Sequence, residues 1–208
     1  MNQMGNMREN QKPAGIATWQ QRLFQNLKDI VYVFAGFMLV YCMFFRMVVV
    51  DGTSMNQTFL DGDRLLLVSN ALYRNPEAGD IVVFSRDSFR NGEGVVKRVI
   101  ATEGQTVDID FAKRTVYVDG KALQESYVYF RPEDARPMMQ EGMTFPLTVE
   151  EGCVFVMGDN RNNSKDSRDP EIGLVDRREI LGKAVFLLMP GTNNGETKLE
   201  YDRIGLIR

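Results

Sequence analysis

The chain has 208 residues, 44% of them apolar and 25% charged, which suits one sizeable core or two small ones and excludes a disordered chain or a large multidomain machine. A net charge of −3 supplies no overall basic field, so no nucleic-acid partner is expected. There is no histidine, which removes histidine triads, histidine general bases and imidazole metal sites and leaves carboxylate, lysine or tyrosine as possible bases.

Taken from the N-terminus, the first dozen residues are predicted to be disordered. After Thr18, the residues Trp19, Leu23, Phe24, Leu27 and Ile30 recur at helical spacing and predict a short interfacial helix. From Ile30 to Phe45 there is no charge, and after Arg46 the run continues Met47-Val48-Val49-Val50. Roughly 20 apolar residues are enough to cross a hydrocarbon layer of about 30 Å. The run exceeds a cleavable signal's apolar core and lacks a small-x-small cleavage site, so it reads as a retained anchor over residues 29–50. Arg8, Lys12, Arg22 and Lys28 precede it, which predicts that residues 1–28 are cytoplasmic and residues 51–208 extracytoplasmic. The lipid bilayer is therefore an expected partner.

Beyond Asp51 come short β-rich runs separated by turns: 64–69, 81–85, 94–102, 106–109, 115–118, 154–157 and 184–189. The fold class predicted is mainly β, with an antiparallel sheet and one N-terminal transmembrane helix. Asp119-Gly120 reads as a hairpin turn. Asp176 to Leu181 is the remaining helix candidate, and about 125–143 reads as an insertion or second sheet edge. Cys42 and Cys153 are too few for a disulfide framework and read as free thiols.

Three segments can carry chemistry. In Gly94-Val95-Val96-Lys97-Arg98-Val99-Ile100, alternation places Lys97 on the face of Val95 and Val99. An ammonium held dry there loses hydration, and lowering its pKa from about 10.4 to about 8 takes roughly 3 kcal/mol of differential interaction. Taken alone, such a lysine is an ordinary solvated edge residue. Ser54 lies in Asp51-Gly52-Thr53-Ser54-Met55, a glycine-containing turn just past the anchor. A serine hydroxyl there is ordinary surface unless a base and oxyanion donors are within reach, and without histidine the plausible base is lysine. The third segment, Gly158 to Asp169, is a polar loop whose spacing does not fit a calcium loop, since Arg161 stands at the third position. No metal and no cofactor is expected.

Together these segments resemble the type I signal peptidases, the membrane-anchored Ser-Lys proteases, and in particular the short bacterial members with one anchor. The resemblance runs from Ile30 to about Met189. It rests on Ser54-Met55 with Thr58, Gly79 to Phe84, Lys97 to Ile100, Gly158-Asp159-Asn160 with Ser164, Asp166, Ser167 and Arg168, and the later Gly173-Leu174-Val175 and Ile180 to Ala184. It implies a signal-peptidase-type β-sheet catalytic domain in which Ser54 is the nucleophile, Lys97 the general base and Ser164 a hydroxyl orienting the lysine amine. It further implies structural salt bridges of Arg98 with Asp159 and of Arg168 with Asp166. The Ser54 N–H is the expected oxyanion donor; the position two residues earlier, a serine in some relatives, is Gly52 here, and the second donor stays unassigned. Val50, Met55, Phe59, Val95 and Val96 are candidate walls of shallow substrate pockets.

The implied substrates are secretory preproteins whose signal peptides end in small residues, cleaved just outside the bacterial cell membrane. An anchor near Ser54 would raise the effective concentration of a substrate held in the same bilayer. Asn56-Gln57-Thr58 and Asn162-Asn163-Ser164 match the glycosylation pattern inside the proposed catalytic loops, which favours a bacterial setting. The reticulum-type relatives place histidine where Lys97 stands. Gln57 replaces a usual proline, and Ala101-Thr102-Glu103-Gly104-Gln105 departs from the usual turn; both are expected to loosen loops and slow turnover. Those departures also suggest a second reading, a catalytically weak relative assisting assembly of pili or other surface proteins.

Overall fold

The structure is a computed structural model that describes residues 18–131, 136–139, 142–192 and 200–207. The residues before Thr18, among them the first dozen expected to be disordered, lie outside the described set. The chain divides into two compact units, Met1–Tyr41 and Cys42–Arg208.

The N-terminal part is one helix, α1, Trp19–Phe44. The Thr18 hydroxyl accepts from the Gln21 N–H at 3.4 Å and the Thr18 N–H donates to the Gln21 side chain at 2.9 Å, satisfying donors that open helix ends leave unpaired. The predicted interfacial helix and the apolar run are therefore continuous. Twenty-six residues span about 39 Å at the helical rise, and α1 is long and apolar enough to cross a membrane. It ends at Phe44, short of the predicted residue 50, because Phe45–Val49 forms strand β1 in a ladder with β2 (Arg64–Ser69). A backbone that donates across strands cannot also close helical hydrogen bonds.

The second unit is mainly β. The remaining strands are β3 (Ile81–Phe84), β4 (Val95–Thr102), β5 (Thr106–Asp110), β6 (Thr115–Val118), β7 (Lys121–Ala122), β8 (Leu147–Thr148), β9 (Cys153–Met157), β10 (Val175–Asp176), β11 (Ile180–Met189) and β12 (Gly205–Leu206). The larger sheet runs β1-β2-β11-β3-β4-β9-β10, with β12 on β11; the smaller runs β7-β6-β5-β8. Every ladder is antiparallel. Asp119 and Gly120 both take positive φ, 52° and 74°, which closes the β6–β7 hairpin as expected.

Both faces of the centre are buried, which explains the unbroken apolar run of β3. Val82, Phe84, Val95, Val99, Val154 and Val156 form one core, while Ile81, Val83 and Val96 pack on the other side with Val50, Met55, Phe59 and Leu67. The late strand β11 enters between β2 and β3, so β4 lies between β3 and β9, with Val82 opposite Lys97 and Met157 opposite Arg98. Gly182 makes that insertion possible: a Cβ there would sit 2.3 Å from the Val68 carbonyl oxygen.

Two expectations change. Asp176 to Leu181 is not a helix; after β10 a single 3-10 turn, Arg177–Glu179, capped reciprocally by Asp176 and Glu179, leads into β11. Ile180 is drawn into the sheet opposite Phe84, and one turn cannot compete with that long-range pairing. The stretch around 125–143, read as an insertion or second sheet edge, forms no strand among the described residues; Tyr129 makes an isolated parallel bridge with Asn160 in the loop after β9, and residues 132–135, 140 and 141 lie outside the described set. Cys42 and Cys153 are free thiols, and burial and nearby carboxylates push the Cys153 thiol up.

Candidate active site

The loop from Val50 to Asp63 carries Ser54 and is closed at its base by main-chain bonds, Val50 N–H to the Asp63 carbonyl at 2.8 Å and Gly62 N–H to the Val50 carbonyl at 2.9 Å. Gly52 takes φ +89°, which favours glycine, and its N–H donates to Asp61 Oδ1 at 2.7 Å. The loop after β9 grips the other side. Asn160 N–H donates to the Ser54 carbonyl at 3.0 Å, the Asn160 amide to the Thr53 carbonyl at 3.0 Å, and the Asn163 amide to the Thr53 hydroxyl at 2.6 Å. Gly158 permits this approach, because a Cβ there would lie 2.5 Å from the Ser54 carbonyl and 2.2 Å from Ser164 Oγ.

Lys97 reaches Ser54 from β4. Its Nζ lies 2.7 Å from Ser54 Oγ and donates to the Val96 carbonyl at 3.1 Å, and the residue is 3% exposed. Burial pulls its pKa from 10.5 to about 8; Asp166 and Asp159 oppose that shift, and Arg90 and Arg168 assist it. The amine therefore has an accessible neutral form beside a hydroxyl whose proton it can accept. Arg90 is tied to Asp51, next to the Ser54 turn, by an ion pair.

The four charged support residues form two buried pairs. Arg98 donates to both oxygens of Asp159, at 2.9 and 2.7 Å, and Arg168 does the same to Asp166 at 2.8 Å each. Burial pushes the Asp166 carboxyl up, but the Arg168 charge and hydrogen bonds, the Gly158 N–H and Lys97 outweigh it and leave it below its ordinary value. Thr58 is a second partner of Asp159, donating at 2.5 Å and so tying the Ser54 loop to the carboxylate that holds Arg98, the residue after Lys97.

Three placements differ from the sequence expectations. Ser164 Oγ donates to Asp166 Oδ2 at 2.8 Å, and no hydrogen bond among the described residues joins it to Lys97; the nearby buried carboxylate is the stronger acceptor. Gly52 has no hydroxyl, and its N–H is occupied by Asp61, so it offers nothing to an oxyanion. Among the described residues the Ser54 N–H meets no acceptor and stays free for that role. Val50, Met55, Val95 and Val96 line a constriction of about 20 Å³ beside Ser54 and Lys97, which opens beside a cleft of about 260 Å³ bordered by Thr53, Phe89, Arg90, Asn163 and Lys165. Phe59 borders neither; it packs in the core with Val50 and Met55 and lines a separate space with Thr58, Leu187 and Arg203.

The family model for signal peptidases, peptidase S26, matches residues 23–189, which contain every group just described apart from Arg203. The chain belongs to this family. Similar members are the signal peptidase I of Bacillus licheniformis, 34% identical over 81% of this chain and 89% of that one, and the signal peptidase I T of Bacillus subtilis strain 168, 33% identical over 82% and 88%. The probable signal peptidase I-1 of Synechocystis is 36% identical over 71% and 72%. A crystal structure of a signal peptidase I from Enterococcus faecalis V583 is 35% identical and covers 52% of this chain and 96% of its own, with a TM-score of 0.42.

One departure from the signal peptidase pattern, the turn Ala101 to Gln105, is locally repaired. Gln105 accepts from the Thr102 N–H and hydroxyl at 2.9 and 3.1 Å, and Glu103 accepts from the Gly152 N–H at 2.8 Å and pairs with Arg177, so this turn is held and not loosened. Sequence reasoning missed Arg161, which is fully buried and bound by both oxygens of Glu125, and Tyr127, whose ring lies 3.9 Å beneath the Arg98 guanidinium. Glu125 and Tyr127 come from the insertion, and nothing in their local spacing points to the loop after β9. Burial and Glu125 raise the Tyr127 pKa, so it stays a neutral phenol under Arg98.

Proposed function

We propose that the protein is a membrane-anchored signal peptidase that removes signal peptides from secretory preproteins with a Ser54–Lys97 dyad. The observation that carries this reading is the 2.7 Å contact between Ser54 Oγ and an amine lowered to about 8. Neutral Lys97 takes the Ser54 proton as Oγ attacks the scissile carbonyl, forming the C–O bond. The Ser54 N–H stabilises the oxyanion. The lysine then gives its proton to the departing amine as the C–N bond breaks, leaving an acyl-enzyme. Water, deprotonated by the same amine, releases the signal peptide and restores Ser54.

The buried pairs Arg98–Asp159 and Arg168–Asp166 are structural supports in this reading, and Ser164 acts through Asp166, whose charge bears on Lys97. The small space walled by Val50, Met55, Val95 and Val96 suits small side chains before the cleaved bond. An extended substrate would lie beside β4. Helix α1 would serve as the anchor, with the N-terminus cytoplasmic and the β-rich unit outside the bacterial membrane. The contact between Ser54 and Lys97 disfavours the alternative of a catalytically weak assembly factor.

The test is cleavage of an Ala-x-Ala preprotein by the full chain in detergent. Wild type should process it, and Ser54→Ala and Lys97→Ala should lose at least about 10³-fold in kcat. Undiminished processing by either variant would remove the dyad. A wild type without activity would favour the assembly factor.

A further inference from the structure

Behind the Ser54 loop lies an ionic contact that the proposed chemistry does not use. Asp63, fully buried just before β2, accepts the Leu60 N–H at 2.8 Å, the Gly191 N–H at 2.7 Å, and two bonds from the Arg203 guanidinium at 3.1 and 2.6 Å. Arg203 also donates to the Thr58 carbonyl at 3.3 Å. The Thr58 hydroxyl, in turn, holds Asp159, the partner of Arg98. The turn after Ser54 is thus held between two buried or half-buried ion pairs, one beside β4 and one on the C-terminal segment. Gly191 is pressed against the same loop, since a Cβ there would lie 2.1 Å from the Asp61 carbonyl oxygen and 2.4 Å from the Asp63 nitrogen. Arg203 lies beyond residue 189, where the family match ends.

We infer that Arg203 is a positioning residue for Ser54: by bridging the Asp63 carboxylate and the Thr58 carbonyl, it fixes the turn that keeps Oγ against Lys97. The inference rests on the reading of Ser54 as nucleophile. The planar guanidinium supplies two parallel donors to the carboxylate and shares one of them with the carbonyl, a geometry that an ammonium cannot reproduce. Displacement of a reacting atom by about 1 Å can cost on the order of 10²-fold in rate, so a support two turns of chain away can control kcat without touching substrate.

The test compares wild type, Arg203→Ala, Arg203→Lys and the double variant Arg203→Ala/Asp63→Asn as full chains in detergent, cleaving an Ala-x-Ala preprotein. Active sites are counted by covalent labelling of Ser54 with a serine-directed phosphonate. The expected result is that kcat per labelled site falls about tenfold or more in both alanine variants, with KM within about twofold of wild type, and that Arg203→Lys stays impaired. A space of about 270 Å³ bordered by Thr58, Phe59, Leu187 and Arg203 gives small solutes access, so millimolar guanidinium should restore part of the rate of Arg203→Ala, while ammonium at equal ionic strength should not. The double variant removes the stranded carboxylate; if Arg203→Ala fails to fold, the double variant carries the test. Wild-type kcat per labelled site in the double variant, or in a folded Arg203→Ala, overturns the inference, because the arginine then serves stability alone. Wild-type cleavage by Ser54→Ala would overturn the nucleophile reading instead.

Discussion

The pH dependence of cleavage tests the central physical claim, that burial makes Lys97 a usable base. With the amine lowered from 10.5 to about 8, about 9% of chains carry it neutral at pH 7, against about 0.03% for an ordinary lysine, a gain of about 300-fold that corresponds to about 3 kcal/mol. Between pH 6 and 7 kcat/KM should rise about tenfold, bend near pH 8 and level off above about pH 9. The perturbation that exposes the cause is Val95→Asp, which places a carboxylate in the constriction beside Lys97; it favours the ammonium and should move the bend upward. The assay is kcat/KM for one preprotein from pH 6 to 10, with the fold checked at each end. A wild-type bend near 10.5, or a Val95→Asp bend at or below the wild-type position, would refute the reasoning, because desolvation would then not set the proton affinity of the base.

The same linkage affects stability. Because the folded pKa of Lys97 lies below the unfolded one, the unfolded chain binds more protons between about 8 and 10.5; the cost of burying the amine is full below about 8 and disappears as pH rises toward 10.5. Lys97→Met should therefore be more stable than wild type at pH 7, by about 2–3 kcal/mol, with the gap closing toward pH 10.5 in paired thermal melts. Equal melts at both ends would argue against it. Asp159→Asn strands the buried Arg98 and should cost about 3–5 kcal/mol, while Thr58→Val, which removes one donor, should cost about 1–2; denaturant midpoints compare them, and reversed order would count against the network. Gly158→Ala should abolish most activity, because the added methyl meets the Ser54 carbonyl and Ser164, whereas Gly120→Ala, with open space around it, should cost about 1 kcal/mol and leave kcat unchanged. Equal kcat in the two would show that Gly158 is not needed for the approach.

The helix and the β-rich class were legible because their signals are local. An uncharged run of anchor length needs no partner to be read, whereas a lysine between valines and a serine in a glycine turn are each ordinary surface residues until something joins them. The order of the segments then supplied the resemblance that joined them. The local signals failed where a distant partner decided the outcome: Asp176 to Leu181 joined a sheet through Ile180 and Phe84, and the end of the apolar run became β1 by pairing with β2. Ser164 was displaced from its expected partner because a buried carboxylate competes better for a hydroxyl than an amine does.

By itself, the sequence determined which chemical groups are available: no imidazole, one lysine flanked by valines and one serine set in a turn just beyond an apolar run. Tertiary structure alone decided how those groups meet. The 2.7 Å contact requires β11 to enter the sheet late, β9 to lie beside β4, and Gly158 to leave room for the Ser54 carbonyl, and each is a relation between residues far apart in the chain. The dry surroundings that lower Lys97 likewise depend on packing from both sides, since a strand pattern names a face but cannot say what covers it.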